Sequence, residues 1–111
     1  MEWSGFMQLD RREIEEKVEA RAGVYRLSSM VNENQYSVFY VGKTANLRNA
    51  LLRHLSDDEK NDCILVERTK LCQLKVAYID DKGERERVAR EEIRRWNPAC
   101  NARTKAPSNR C

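Results

Sequence analysis

The chain has 111 residues, which suits one domain of ordinary size and leaves no room for a second. Hydrophobic residues make up 41% of it, enough for one core, and charged residues 35%, which indicates a well-solvated surface rather than disorder. The formal net charge of +3 does not by itself indicate a nucleic-acid partner. The basic residues are nevertheless gathered in two segments, 43–53 and 94–110, a pattern that phosphate binding requires and that solvated helix faces also produce.

The sequence predicts neither a membrane segment nor a secretory leader. No apolar run approaches the roughly 18 residues of a membrane-spanning helix, and the first residues are polar rather than cationic and then apolar. The four cysteines form no Cys-x-x-Cys pair and His54 is the single histidine, so a structural zinc site is not expected. We therefore expect a soluble, reduced, cytoplasmic protein without a membrane partner, and its basic segments are compatible with association with the nucleoid.

The first half of the chain predicts a helix, a hairpin and a second helix. Residues 7–20 have helical spacing, with Asp10 as the N-cap and Glu13 three residues later, as in a capping box. Residues 24–28 and 37–41 predict two strands, and the polar loop "SMVNENQY" joins them into an antiparallel hairpin. Asn46 can cap a helix that runs to about residue 56 and buries a stripe of leucines.

The second half predicts a short helix, a third strand and a long final helix. The segment 57–71 is the hardest to interpret, although "NDCILVERTKL" is compatible with a short helix. Residues 72–79 alternate as a strand does, and residues 84–96 predict a helix that ends at Asn97, because the residue before a proline avoids the helical region. The predicted fold class is α/β of the α+β type, with a small central three-stranded, mostly antiparallel sheet flanked by helices.

Five short motifs follow one another in a fixed order along these elements. They are Gly23-Val24-Tyr25, Tyr40-Val41-Gly42, Lys43-Thr44-x-Asn46-Leu47, His54 and Asn97-Pro98-x-x-Asn101. Either tripeptide alone is a weak signal, but all five on the expected strands and helices resemble the GIY-YIG nuclease family. The resemblance implies a helical extension over residues 1–21, a GIY-YIG-like nuclease domain over residues 22–101 and a basic tail over residues 102–111.

The resemblance implies metal-dependent hydrolysis of DNA, double-stranded or branched, with Mg²⁺ or Mn²⁺ as the cofactor. In the family, tyrosines and a lysine handle the water and the phosphate, an arginine holds the phosphate, and a glutamate binds the metal. The residues that match the catalytic positions are Tyr25, Tyr40, Lys43, His54 and Asn101. Candidate nucleic-acid contacts are Gly42, Arg48, Arg53, Arg103 and Lys105. A single domain that cuts both strands has to dimerise or act twice, so a homodimer is also an expectation.

Two positions depart from the family pattern. The arginine is expected ten residues after Tyr40, where this chain has Ala50, and the glutamate twelve residues before Asn101, where it has Ala89. We therefore expect the endonuclease activity to be absent or weakened, because two charged groups are missing from the site. On a helix, Arg53 lies about 60° around from position 50, and Glu86 and Glu92 each lie about 60° from position 89, so substitutes are within reach.

Three interpretations remain open from the sequence. The chain can be an active nuclease silenced by two alanines introduced deliberately. It can be a naturally decayed nuclease that serves as a non-catalytic nucleic-acid-binding module. A third and weaker interpretation is a relocated active site, built from Arg53 together with Glu86 or Glu92.

Overall fold

The structure is a computed structural model, and it describes residues 1–101. In chain order its elements are β1 (Met7–Gln8), α1 (Arg11–Lys17), β2 (Gly23–Asn32), β3 (Gln35–Thr44), α2 (Leu47–His54), α3 (Asp62–Glu67), β4 (Cys72–Tyr78) and α4 (Lys82–Trp96). The basic tail expected over residues 102–111, with its candidate contacts Arg103 and Lys105, lies outside the described residues. Within the described part, no helix is both long and apolar enough to cross a membrane.

The four strands form one antiparallel sheet in the order β1-β4-β2-β3. This confirms the predicted α+β class and its antiparallel sheet, but the sheet has four strands rather than three. The additional strand is β1, whose residue Met7 lies opposite Leu74 of β4. The helix predicted over residues 7–20 is correspondingly shorter, because Asp10 adopts extended backbone and its side chain accepts the Glu13 amide at 3.1 Å.

The central hairpin is longer than the sequence pattern predicted. β2 and β3 run to a two-residue turn, Glu33–Asn34, so most of the predicted polar loop is strand. Asn34 has a φ of 63°, which a tight hairpin turn requires and which asparagine tolerates better than most residues. The polar residues that suggested a loop therefore belong to the solvated end of a hairpin that extends beyond the core.

Each face of the sheet carries its own apolar cluster. On one face Leu27 and Leu74 pack with Ile14 of α1, Leu51 of α2 and Ile64 of α3, all of them fully or almost fully buried. On the other face Val24, Val41 and Ala77 pack with Val88 and Ala89 of α4. β3 is the outer strand between these two layers, so its free edge faces both α2 and α4.

Cys63 and Cys100 form a buried disulfide between α3 and the segment that follows α4. Their Cα atoms are 5.2 Å apart, and the Asn61 side chain also donates to the Cys100 carbonyl at 3.4 Å. The expectation of fully reduced cysteines is therefore wrong for this pair. A separation of 37 residues gives no sequence signal for pairing, because the two cysteines meet only through tertiary packing.

Reduction of this disulfide should destabilise the fold. Closing a loop of 37 residues restricts the unfolded chain and is worth about 3–4 kcal/mol on the entropic account. We expect a reductant to lower the thermal midpoint of the unmodified chain and of a Cys72→Ser control. The double variant Cys63→Ser/Cys100→Ser should melt at the lower temperature whether or not reductant is present. Identical midpoints for the unmodified chain with and without reductant would contradict the assignment.

Candidate active site and nucleic-acid groove

The free edge of β3 brings the candidate residues together in two halves. Side chains alternate between the faces of a strand, so Gly42 faces Tyr25 on the α2 side while Val41 packs with the α4 cluster. We call the cluster of Tyr25, Tyr40 and His54 the aromatic half-site. The second half, lined by Lys43 and α4, we call the cationic groove.

The three rings of the aromatic half-site contact one another. The ring centroids of Tyr25 and Tyr40 are 6.1 Å apart, and those of Tyr40 and His54 are 5.4 Å apart in an edge-to-face arrangement. Tyr25 Oη lies 2.7 Å from His54 Nε2, in a hydrogen bond that is buried. Three residues from β2, β3 and α2 are therefore held as one unit.

Glu59 completes this unit and was not predicted from the sequence. Its Oε1 contacts His54 Nδ1, and its Oε2 accepts the backbone amide of Asn61 at 2.8 Å. The Glu59 side chain is only 8% exposed. Arg68 Nη1 fixes the end of α2 by donating to the carbonyls of His54 and Ser56 at 2.7 and 2.8 Å. No motif marks Glu59, because it lies in the irregular segment between α2 and α3.

Burial keeps the aromatic half-site uncharged near neutral pH. Desolvation raises the pKa of Tyr25 well above its usual value, and the nearby Tyr40 raises it further. Desolvation likewise raises the pKa of Tyr40. For His54 burial lowers the pKa, because the charged imidazolium loses water, and the hydrogen bond and charge of Glu59 oppose that effect. The resting state is therefore a neutral imidazole hydrogen-bonded to a neutral phenol.

Gly42 makes room for the Tyr25 ring. A Cβ built at position 42 would lie 2.6 Å from Tyr25 Cε1 and closer still to Cζ and Oη. The glycine of the second tripeptide is thus required by the close approach of a side chain, since Gly42 has no positive φ. Any larger residue would push the Tyr25 hydroxyl away from His54.

Asn101 closes the free edge of β3 beside the aromatic half-site. Its Oδ1 accepts the Val41 amide at 2.8 Å, and its Nδ2 donates to the Val41 carbonyl at 2.9 Å. This pair of bonds replaces the neighbouring strand that an edge residue lacks. Asn101 therefore contacts the backbone between Tyr40 and Gly42.

The cationic groove runs between the end of β3 and the outer side of α4. Two adjoining hollows share Lys43 and Glu86, and the other side chains that line them are Thr44, Ala45, Lys82, Arg85, Ala89, Arg90 and Ile93. Arg85 also donates to the carbonyls of Ile79 and Asp80. Lys43, Lys82 and Arg90 make no ion pair within residues 1–101.

The two alanines lie in opposite halves, and both are buried. Ala50 is 3% exposed on the α2 side, and Ala89 is 5% exposed and lines the groove beside Lys43. Arg53 is exposed on α2, and its charge lowers the pKa of His54 and acts on both tyrosines. Arg48 is directed elsewhere, because its Nε donates to the Val18 carbonyl at 2.8 Å.

The two candidate carboxylates on α4 differ in their surroundings. Glu92 Oε1 accepts from Arg26 Nε at 2.5 Å and from Trp96 Nε1 at 2.9 Å, and Glu92 is not among the residues that line the groove. The Arg26 guanidinium in turn lies 4.1 Å from the ring centroid of Trp3. Glu86 is the carboxylate that lines the groove together with Lys43.

The residues present do not fit a divalent cation in the way the family resemblance implies. Ala89 offers no oxygen, Glu92 is paired with Arg26, and Glu86 is a single carboxylate. In the part of the chain that the structure describes, no group of three or more His, Cys, Asp or Glu residues could hold a metal ion. Mg²⁺ keeps several water ligands and is held through one or two carboxylates, and Glu86 is the single carboxylate that lines the groove.

Comparison with solved structures supports the fold assignment. No protein-family model and no curated protein matches the chain. It is similar to the GIY-YIG N-terminal endonuclease domain of UvrC from Thermotoga maritima bound to magnesium, its catalytic divalent cation, with 19% identity and a TM-score of 0.59. The match covers 78% of this chain and 93% of that domain. Two point mutants of the same domain match at 19% and 18% identity with the same TM-score, covering 78% of this chain and 92% of theirs.

The chain therefore has a GIY-YIG-like fold, with a four-stranded antiparallel sheet and helices on both faces. This confirms the resemblance drawn from the five motifs at the level of the fold. The roles of the individual site residues remain predictions.

Replacing Gly42 by alanine should separate Tyr25 from His54. We expect Gly42→Ala to cost about 1–3 kcal/mol of unfolding free energy, because the new methyl group overlaps the Tyr25 ring. Denaturant unfolding measures that loss, and the imidazole resonances of the single histidine report the broken hydrogen bond. Gly83→Ala is the matched control, because a Cβ there comes no nearer than 3.4 Å to Asp81 Oδ2. Unchanged stability and imidazole resonances in Gly42→Ala would refute the close approach.

Proposed function

We propose that this chain is a GIY-YIG-type DNA endonuclease whose metal-dependent phosphodiester hydrolysis is lost or strongly weakened by Ala50 and Ala89. The observation that carries the proposal is a difference between the aromatic half-site and the cationic groove. In the aromatic half-site the three rings contact one another, and Tyr25 is hydrogen-bonded to His54 at 2.7 Å. The cationic groove has a lysine beside it but an alanine where the family has its metal-binding glutamate.

The residues present can bind a phosphate and orient a water molecule. Lys43, Lys82 and Arg90 supply positive charge along the groove, which suits phosphate oxygens of either double-stranded or branched DNA. Tyr25 and Tyr40 supply hydroxyl groups beside the edge strand, next to the buried imidazole of His54. A divalent cation would supply stabilisation of the leaving oxygen, and within residues 1–101 no group of three or more His, Cys, Asp or Glu residues could hold one.

The two missing side chains account for the weakness we propose. Removal of one group that stabilises the transition state typically costs about 3–4 kcal/mol. Both positions are buried, so solvent does not take the place of the missing groups. Arg53 is exposed and close enough to influence the aromatic half-site, and it is the substitute for the phosphate-binding arginine that α2 offers.

Restoring both side chains should restore cleavage. We expect Ala50→Arg/Ala89→Glu to nick supercoiled DNA in Mg²⁺ or Mn²⁺ at least about a hundredfold faster than this chain, since each restored group is worth about that factor. The matched control is Ala50→Arg/Ala89→Gln, which has the same size at position 89 without a carboxylate and should remain inactive. Circular dichroism checks that both variants fold, because position 50 is buried. Cleavage by the unmodified chain at the rate of the double variant would contradict the proposal.

A second candidate function is a non-catalytic nucleic-acid-binding module that uses the same groove. The observation that favours it is the set of groove cations without ion pairs in residues 1–101, which remain available to phosphates even though the catalytic groups are missing. This function needs neither a metal nor the homodimer that cutting both strands would require.

Groove charge should set the affinity for DNA. We expect Lys43→Ala/Arg90→Ala to bind duplex DNA more weakly and to lower the salt dependence of log K by about 0.9 for each phosphate that the variant no longer neutralises. Titration at several salt concentrations measures both quantities. The control is Arg12→Ala, which removes one positive charge from a side chain that is 85% exposed on α1, outside the groove. Equal weakening by the control, or no change in the double variant, would place the DNA elsewhere.

A further inference from the structure

A buried chain of three polar groups links β2, α2 and the segment before α3. Tyr25 Oη lies 2.7 Å from His54 Nε2, and His54 Nδ1 contacts Glu59 Oε1. The side chains of His54 and Glu59 are 10% and 8% exposed. Water therefore has little access to either nitrogen of the imidazole, and the protein groups decide where its proton lies.

With a neutral imidazole and an ionised carboxylate, the donors and acceptors of these three groups allow one arrangement. An ionised carboxylate can only accept, so the contact with Glu59 requires the proton of the neutral imidazole to be on Nδ1. The other oxygen of Glu59 already accepts the Asn61 amide, so the carboxylate is held in place from the backbone. Nε2 then has a lone pair and no proton, and the Tyr25 hydroxyl must be the donor in the bond between them.

We propose that Glu59 is a positioning residue of this site, which fixes His54 as the Nδ1–H tautomer and so commits the Tyr25 proton to Nε2. This inference rests on the proposed function, because the tautomer matters for catalysis only if the site hydrolyses a phosphodiester. With its proton directed to His54, the phenolic oxygen of Tyr25 presents lone pairs to any group that reaches it. Glu59 contacts no substrate and acts only through the imidazole.

The arrangement defines a balanced proton transfer. As an attacking water gives its proton to Tyr25 Oη, Tyr25 gives its own hydroxyl proton to His54 Nε2. The water oxygen forms a bond to phosphorus as the bond from phosphorus to the leaving sugar oxygen breaks, and that oxygen takes a proton from solvent. Tyr25 is again a neutral phenol, and the imidazolium, held by the Glu59 carboxylate, returns its proton to solvent before the next turnover. With the opposite tautomer Nε2 would carry a proton already, and Tyr25 could not pass its own on.

Several charged or titratable groups face His54 from the elements around it. They are Tyr25 on β2, Tyr40 on β3, Glu59 before α3, Arg53 on α2 and Arg68 after α3. Burial and the two arginines lower the pKa of His54, whereas Glu59 raises it. Loss of the Glu59 charge should therefore shift the pKa further down, and loss of the Tyr25 hydroxyl should not reproduce that shift.

Imidazole NMR tests this inference directly, because His54 is the single histidine of the chain. Its two ring nitrogens give separate resonances whose shifts identify the protonated one. In the unmodified chain at neutral pH we expect the Nδ1–H tautomer in roughly tenfold excess or more, since the other tautomer forfeits a hydrogen bond to a charged group. An excess of the Nε2–H tautomer would overturn the inference.

Three variants separate a positioning role from a merely structural one. Glu59→Gln keeps the size of the side chain, but its amide can donate as well as accept, so we expect the excess of the Nδ1–H tautomer over the Nε2–H tautomer to fall. Because the negative charge is lost, we also expect the pKa of His54 to fall further below its usual value. Tyr25→Phe should keep the Nδ1–H tautomer. Glu67→Gln, which removes a carboxylate that contacts Ser29 and Lys70 rather than His54, should leave both readouts unchanged. If Glu59→Gln alters stability alone, with the tautomer and the pKa as in the unmodified chain, Glu59 is not a positioning residue.

The outcome is independent of whether the chain cuts or binds DNA. The tautomer is read in the free protein, so failure of the nicking or binding experiments leaves this test intact. Conversely, a tautomer set by Glu59, together with an Ala50→Arg/Ala89→Glu variant that neither cuts nor binds DNA, would overturn the proposed function and leave the positioning of His54 established. In Ala50→Arg/Ala89→Glu, adding Glu59→Gln should lower the nicking rate about tenfold or more, as expected when proton transfer is impaired.

Discussion

Tyr25 lies opposite Gly42 in the β2–β3 hairpin, and its ring fills the space that a side chain at position 42 would occupy. This close pairing of a tyrosine with a glycine orients the Tyr25 hydroxyl toward α2, where His54 meets it. His54 in turn meets Glu59, and Asn101 holds the backbone of Val41 next to Gly42. A shift of one residue in the strand register would turn Tyr25 to the α4 face and abolish the whole arrangement.

The two faces of the edge strand differ in how much of the site they retain. On the α2 face the three rings contact one another and Tyr25 is hydrogen-bonded to His54, whereas Ala50 stands where the family resemblance implies an arginine. On the α4 face Ala89 is buried beside Lys43. Of the two candidate carboxylates on α4, Glu86 lines the groove, whereas Glu92 is paired with Arg26, whose guanidinium lies near the rings of Trp3 and Trp96. An ion pair that is largely buried costs several kcal/mol to break, so Glu92 is not readily released to a metal.

Local signals in the sequence predicted much of the fold. Asp10 and Asn46 cap their helices as expected, and the Asn97-Pro98 pair ends α4, with Asn97 in the left-handed region. Turn and cap chemistry depends on near neighbours, which a single sequence displays. β1 was mistaken for helix because a two-residue strand has no periodicity of its own and exists only through its pairing with β4.

The residues that the sequence did not reveal act at long range. Glu59, the Arg26–Glu92 pair and the Cys63–Cys100 disulfide each join segments that are distant in the chain or irregular in structure. A carboxylate near a helix end is common in any sequence, and only the folded structure shows that Glu59 contacts the buried His54. The clustering of basic residues in the sequence was only partly informative. Lys43 lines the groove, but Arg48 of the same segment donates to the Val18 carbonyl instead.

The central claim is that the fold retains its phosphate-binding and aromatic residues without a metal site. Paramagnetic broadening of backbone amides by Mn²⁺ tests it most directly, with the unmodified chain and Ala89→Glu measured side by side. We predict no localised broadening in the unmodified chain and a specific, saturable effect around residues 43, 86 and 89 in the variant. Saturable broadening at the same residues in the unmodified chain would show that Glu86 already provides a metal site, and would contradict the account.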